Sequence, residues 1–349
     1  MIKFVQSGDF HLDSITETNG NSLTSHLLLL DSFGKVVETV KEVGANLLFL
    51  TGDVFDNEGI RSETIHYLTA KLEEIPETKV FISPGNHDYI GRNSAWIKVQ
   101  WPSNVHVFTD FESVFLDDLK IMIHGAGFRE RIQEATILPS LALLDPRWPN
   151  VLVMHGELAQ TSSYNPLDAV QLNQFDYCAL GHRHEFQQLG QNGTMVYAGN
   201  PCARNFLETG VKGCVIGSID NGIVDVKFKP FDFPAFYSVD LDVTGVLTNA
   251  AVRDLINGLI TRASDHYRIT LTGRNTLEPD LAYLTKEITA GSLEVVDDTK
   301  SPRDYDALSR EMSLQGVFAK RMLKLYETEP FALEALEAGL DALEGESTL

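Results

Sequence analysis

Cysteine is scarce: Cys178, Cys202 and Cys214 are the only three in 349 residues, too few and too scattered for a disulfide framework. They read as reduced core or near-core residues of a cytoplasmic protein. Long apolar runs are missing as well. Stretches such as Leu27–Leu30 and Leu47–Leu50 are far too short to span a bilayer, so no membrane role is expected. The opening MIKFVQSGDFHLD turns polar by residue 6 and lacks the apolar run of a signal peptide. Basic residues are the third shortage. Lys plus Arg total 28 against 49 Asp plus Glu, a formal charge of -21. A duplex-binding protein normally carries a basic footprint, because phosphate neutralisation supplies much of its affinity. The balance therefore argues against tight, autonomous, non-specific DNA binding. Part of the excess is local: residues 325–349 contain seven acids and no base. Another part lies in the acidic motifs described below, where bound cations would invert the local field.

What the chain does have is a regular succession of apolar runs and helical stripes. IKFVQS (2–7) reads as a strand that ends at Gly8-Asp9. Leu27, Leu30, Phe33, Val37 and Val40 predict a helix over about 23–43. NLLFLT (46–51) is a nearly all-apolar strand, as in a sheet covered on both faces. A helix over 61–75, with Ile65, Leu68, Leu72 and Ile75 as its stripe, leads to a strand at 79–83 that ends at PGNHD. This order predicts a parallel α/β unit with ligands beyond the carboxyl ends of its strands. Further strands are expected at 104–108, 113–116, 119–124, 151–154, 177–180, 194–198, 213–219 and 223–228, the last two joined at Asp220-Asn221-Gly222.

The expected fold is thus α/β, a β-sandwich flanked by helices over 1–230. The Pro- and Phe-rich segment 229–236 marks a packed junction to a smaller α+β domain over 236–300. That domain should contain strands 236–241, 267–272 and 292–296, with helices over 249–261 and near 278–288. After a polar loop over 297–306, a C-terminal helical segment (311–345) should hold two helices, 312–327 and 331–344. The second carries Leu333, Leu336, Leu340 and Leu343 on one stripe.

Five short polar motifs fall at the ends of these strands: Asp9-Phe10-His11, Gly52-Asp53-Val54-Phe55-Asp56, Gly85-Asn86-His87-Asp88, His155-Gly156 and Gly181-His182-Arg183-His184. Each is common alone, yet together they take five of the ten histidines into one structural context. Carboxylates and imidazoles suit divalent Mn, Fe or Zn, with Mg also compatible, and the absence of cysteine disfavours a structural zinc centre. Two such cations about 3.5–4 Å apart can activate water and absorb charge on a transferring phosphoryl group. The assignment expected is Asp9, His11, Asp53 and His184 on one metal, and Asp53, Asn86, His155 and His182 on the other, with Asp53 bridging. His182 and His184, two apart in an extended segment, can serve neighbouring metals.

His87 lies beside a ligand without needing to be one, and is the candidate acid that protonates a leaving alkoxide. Asp56 is its preferred orienting partner, a role compatible with the plainer reading of a helix N-cap. Asp88 reads as a loop-stabilising acceptor, and Arg183 as either a phosphate contact or a solvent-facing residue. Tyr89, Tyr164 and Arg204 are candidate substrate contacts. His124-Gly125 competes with His155-Gly156 for the mid-chain ligand, and His155 is preferred because 151–154 is the cleaner buried strand. His26, His66, His106 and His266 read as ordinary surface or core residues.

These motifs match the metallophosphoesterase superfamily. The chain resembles the nuclease-subunit family of the bacterial SbcCD complex, and within it the YhaO-like DNA repair exonucleases of Gram-positive bacteria. The segments that carry the likeness are Ser7–Asp13, Thr51–Asp56, Ser83–Asp88, Met154–Gly156 and Gly181–His184, with Tyr197-Ala198-Gly199-Asn200-Pro201 downstream. The resemblance covers about 1–230 and runs more loosely through Ile269–Arg274 of the cap. It implies manganese-dependent cleavage of DNA phosphodiesters, with 3′–5′ exonuclease and single-strand endonuclease activity in DNA repair. It also implies a coiled-coil, SMC-like ATPase partner, bound through the C-terminal region, and a homodimer formed by helices of the catalytic domain. The helices over 312–344 suit that partner or packing against the cap. Asn200 stands where the family often has Ser, and the stretch 14–26 is long and polar. Asp56, where archaeal and eukaryotic members often have His, follows the bacterial pattern. The competing reading keeps the metal site and gives it small nucleotides or phosphoproteins as substrates.

Overall fold

The computed structural model describes residues 1–14, 22–56, 60–139 and 144–343. Most of the polar stretch 14–26 and the end of the 311–345 segment lie outside the described residues. The chain divides into two compact units. The first comprises Met1–Ser238, Arg262–Tyr267 and Ala290–Ser292, and the second Val239–Thr261, Arg268–Thr289 and Leu293–Leu349.

The first unit begins β1 (Ile2–Ser7), α1 (Ser22–Val43), β2 (Leu47–Leu50), α2 (Ser62–Glu73), β3 (Lys79–Ile82), α3 (Ala95–Lys98) and β4 (Val105–Val107). It continues with β5 (Glu112–Leu116), β6 (Ile121–Ala126), β7 (Asn150–His155), the two-residue strands β8 (Glu157–Leu158) and β9 (Pro166–Leu167), and α4 (Ala169–Leu172). β10 (Tyr177–Gly181), β11 (Gln187–Leu189), β12 (Met195–Tyr197) and the hairpin β13 (Gly213–Asp220) and β14 (Ile223–Pro230) complete it.

Two six-stranded sheets result, ordered β14-β13-β1-β2-β3-β4 and β11-β12-β10-β7-β6-β5. β1 through β4 run parallel, as do β6, β7, β10 and β12, while β5, β11, β13 and β14 pair antiparallel at the edges. The side-chain period of two explains the three-layered core. Leu47 and Phe49 face a buried layer with Phe81, Val151, Val153, Tyr177 and Val215, whereas Leu48 and Leu50 face Phe33, Val37, Leu68 and Leu72 of α1 and α2. A third cluster joins Leu152, Met154 and Leu180 to Leu167 and Leu172. Each fully buried Leu or Phe stabilises this arrangement by about 1.5–3 kcal/mol. The fold is therefore the expected α/β sandwich, and the hairpin turns at Asn221-Gly222 with positive φ at both residues.

Three further strands, β15 (Phe236–Asp242), β16 (His266–Thr272) and β17 (Ser292–Asp297), form one sheet in that order, with most of their residues in the second unit. The helices of that unit are α5 (Asn249–Leu259), α6 (Leu281–Thr285), α7 (Tyr305–Leu308), α8 (Leu314–Tyr326) and α9 (Ala332–Leu343). α8 and α9 bury Ala319 against Leu336 and Leu340. Arg274 and Arg303 both reach Glu337 and Asp341 of α9.

Several local expectations are corrected. Leu27 is exposed, and the buried stripe of α1 is Leu29, Phe33, Val36, Val37 and Val40, because four consecutive leucines leave the phase undetermined. Leu343 is also exposed, and the inward face of α9 is Ala332, Leu336 and Leu340. The helix near 278–288 shortens to Leu281–Thr285, since Pro279 disfavours helical backbone at Glu278 and Asp280 caps the first turn by accepting from Tyr283 N. The loop over 297–306 gives way to α7 at Tyr305, capped by Asp304. No helix among the described residues is long and apolar enough to cross a membrane. All three cysteines are buried and free.

Candidate metal centre

The polar motifs converge where β1, β2, β3, β7 and β10 end. The backbone there is strained: Asp9 (φ 53°), His11 (49°), Asp53 (49°) and His182 (103°) occupy the left-handed region that side chains disfavour. Such conformations persist where the surroundings over-determine them, and they cluster at functional sites. Asp88 supplies much of that determination. Wholly buried, it accepts from the backbone N–H groups of Asp53 (3.1 Å), Val54 (2.9 Å) and Gly85 (2.6 Å), which locks the second and third loops together. Burial, and then the charge of Asp53, push its carboxyl up to about 7.

The chemistry of the donor set decides what the centre can hold. His155 Nδ1 faces the Thr51 carbonyl at 2.8 Å, so it carries the proton and Nε2 presents a lone pair. Yet Nε2 lies 3.0 Å from Asn86 Oδ1, another acceptor, and burial holds the ring's pKa below the usual value. The same opposition recurs on the other side. His11 Nδ1 faces Asp56 at 3.2 Å and His184 Nδ1 faces Glu208 at 2.8 Å, which leaves their two Nε2 lone pairs 3.3 Å apart. Burial, despite Asp56 and Asp53, takes His11 down to about 4, so protonation of His11 does not relieve this contact. Converging lone pairs with anchored Nδ1 atoms are the arrangement of cation ligands held by hydrogen bonds on their far side.

Asp53 stands between the two halves. Its Oδ1 accepts from His87 N (2.8 Å), while Oδ2 lies 3.8 Å from His11 Nε2 and 3.5 Å from His155 Nε2. Burial would raise this carboxyl, but His155, His11 and His87 outweigh it and hold Asp53 below the usual range. Asp9, by contrast, is raised well above its usual value by burial and by the neighbouring carboxylate of Asp53. Its oxygens accept from His182 N, and Oδ1 lies 3.9 Å from His184 Nε2. Among the described residues, three clusters of potential ligand atoms, each within 4.8 Å, emerge: Asp9, His11 and His184; Asp9, Asp53 and His155; and His11, Asp53 and His87. The residues fit a binuclear divalent centre.

The structure thus brings Asp9, His11, Asp53, Asn86, His155 and His184 together. The His182 ring lies beside those of His155 (5.3 Å) and Tyr164 (4.9 Å) but outside the three clusters. His87 Nδ1 is 3.0 Å from Asp56 Oδ1, which raises the imidazole's pKa, while about a third of its side chain meets solvent. His124 is elsewhere, buried between Ser113 (2.7 Å) and Asn150 (3.0 Å). Arg183 is half-exposed and paired with Glu157, and Arg204 is held by Glu208. Two features escaped sequence reasoning: the second hold of Asp56, on His11, and Glu208 itself. The spacing of Arg204 and Glu208, four apart and just beyond Tyr197–Pro201, was the one signal available for the latter.

This fold and centre define a metal-dependent phosphoesterase with residues for a binuclear site. The sequence profile of the calcineurin-like phosphoesterases matches residues 2–186, more than half of the chain, and the chain belongs to that family. An uncharacterized metallophosphoesterase of Bacillus subtilis, YhaO, is 25% identical over 285 residues, 75% of this chain and 68% of that protein. The DNA double-strand break repair protein Mre11 of Methanopyrus kandleri is 22% identical over 360 aligned positions, 91% of this chain and 77% of that protein. The chain is thus distantly related to Mre11/SbcD-type nucleases. Among solved structures, a dimetal phosphatase from Danio rerio aligns at 11% identity with a TM-score of 0.45, covering 66% of this chain and 96% of that one.

Proposed function

We propose that this phosphoesterase cleaves DNA phosphodiesters, as a 3′–5′ exonuclease and single-strand endonuclease in DNA repair. The observation that carries the reading is the reach of the likeness to the archaeal Mre11, which spans 91% of the chain and so extends past the matched catalytic segment into the second unit. In this reading Asp9, His11, Asp53, Asn86, His155, His182 and His184 hold two divalent cations, manganese foremost. The bound cations supply Lewis acidity and an activated water. Asp53, whose Oδ2 lies 3.8 Å from His11 Nε2 and 3.5 Å from His155 Nε2, would be the ligand shared by the two positions. His87, whose pKa Asp56 raises, donates its Nε2 proton to the leaving alkoxide, and Asp56 holds Nδ1 so that Nε2 faces the substrate. Residues 236–300 act as the cap, and 311–345 engage a coiled-coil ATPase of SMC type; the chain pairs with a second copy through its catalytic domain.

A second reading, a phosphodiesterase or phosphatase for small nucleotides or phosphoproteins, is favoured by the formal charge of -21. A labelled duplex with a recessed 3′ end, assayed with Mn2+ beside bis-p-nitrophenyl phosphate and a phosphopeptide, separates the two. Release of mononucleotides is expected. Turnover of the small ester with no DNA cleavage, even at low salt with the ATPase present, would overturn the nuclease reading. His87→Ala should keep its metal and lose about 10²–10⁴-fold in rate, the usual contribution of a positioned acid. Metal loss in that variant would make His87 a ligand instead, as its place beside His11 and Asp53 allows.

A further inference from the structure

Glu208 lies outside every motif that points to the centre, yet it is among the most heavily engaged carboxylates in the chain. It is 4% exposed. Oε1 accepts from His184 Nδ1 at 2.8 Å, Arg204 Nε at 2.9 Å and Arg204 Nη2, while Oε2 accepts from Asn200 Nδ2 at 2.9 Å and Arg204 N at 2.7 Å. Asn200 also donates to Cys202 O (2.8 Å), so the 200–208 loop is wrapped around this one side chain. The backbone of His184 is pinned separately, by Lys212 Nζ on its carbonyl at 2.9 Å.

The consequence falls on the imidazole. A carboxylate accepting at Nδ1 makes that nitrogen the protonated one and leaves the Nε2 lone pair free. Nε2 is the atom that meets His11 Nε2 and approaches Asp9 Oδ1. Arg204 offsets the negative charge of Glu208, so the carboxylate orients the ring without adding an unbalanced anion beside Asp9 and Asp53. Burial alone would favour a neutral acid, but His184 and Arg204 outweigh it and hold Glu208 well below the usual carboxylate range.

We propose that Glu208, set in place by Arg204 and Asn200, is the positioning residue that fixes the tautomer and aim of His184 at the metal centre. The proposal rests on the reading of His184 as a ligand, and the test separates the two. Mn2+ binding is measured by isothermal titration calorimetry on wild type, Glu208→Ala, Glu208→Gln and His184→Ala. Two-bond 1H–15N spectra of the metal-free proteins report the His184 tautomer. Glu208→Ala should weaken one of two Mn2+ sites by about 10–100-fold, the usual effect of losing such a partner. It should also turn a single Nδ1–H tautomer into a mixture. Glu208→Gln, which still offers Nδ1 an acceptor, should fall between, nearer tenfold, and it decides the matter if the alanine variant does not fold. Unchanged affinity and an unchanged tautomer in the Glu208 variants, with one site lost in His184→Ala, would overturn the positioning role. Two wild-type sites in His184→Ala would instead overturn the reading of His184 as a ligand and, with it, the role of Glu208 at the metal centre. A purely structural Glu208 would lower the melting temperature without moving the tautomer.

Discussion

At the scale of single residues, the same side chain does different work according to its far-side partner. His124 is a buried imidazole whose ring nitrogens meet Ser113 and Asn150, with no carboxylate among the described residues hydrogen-bonded to it. Burial therefore dominates and lowers its pKa from 6.5, with Asn150 opposing. The sign of the resulting pH dependence follows. Between the folded pKa and 6.5 the unfolded chain binds more protons than the folded one, so stability rises with pH. The contribution is fully present above 6.5 and is lost as pH falls below it. Urea unfolding of the chelated protein between about pH 5 and 7.5 should show this as a slope of at most ~1.4 kcal/mol per pH unit. His124→Gln should unfold at lower urea throughout, with a flatter dependence. Parallel curves for the two proteins would mean that His124 titrates alike in both states.

At the scale of elements, the centre depends on strand ends approaching each other more closely than side chains allow. Gly52 follows β2 with φ 94°, and a Cβ there would stand 2.7 Å from Gly85 N and Ser83 O and 2.8 Å from His155 Nδ1. Gly52→Ala should destabilise the chain by about 1–3 kcal/mol through overpacking, with a further ~1–2 kcal/mol from the left-handed backbone. Thermal melting would show that loss, and Mn2+ titration should show a weakened centre, because His155 is one of the atoms displaced. The strands that position this crossing were legible because Leu47–Leu50 and Val151–Met154 are unbroken apolar runs, and the motifs at their ends mark where each stops. Several shorter pieces were not, although the three-residue β4 and β12 were. β8, β9 and β11 have two or three residues, α3 and α4 have four, and no periodicity exists at that length. The phase of α1 was unreadable for a different reason, since Leu27–Leu30 offer every face an apolar side chain. Glu208 went unread because, beyond its spacing from Arg204, its significance is a contact across 24 residues, set by the loop that folds over it.

At the scale of the whole molecule, charge and chemistry pull in different directions. The seven proposed ligands can hold cations that draw phosphate, whereas 49 acids against 28 bases repel a polyanion at a distance. Non-specific duplex binding gains its affinity from Lys and Arg that displace counterions, with log K falling by about 0.9 per phosphate contact for each log unit of salt. If the chain acts on DNA by holding only the scissile region, few phosphates are engaged. Anisotropy titrations of a labelled duplex with the isolated chain should then give a slope shallower than about -3 and an affinity weaker than ~10⁻⁶ M near physiological salt. Hydrolysis of bis-p-nitrophenyl phosphate should be nearly independent of salt, because that ester makes its contact at the centre alone. Adding an SMC-type ATPase, the proposed partner, should steepen the DNA slope, because basic residues on it would add phosphate contacts. A steep slope for the isolated chain would place a basic track on this molecule despite its charge, and would remove the reason to assign DNA affinity to a partner.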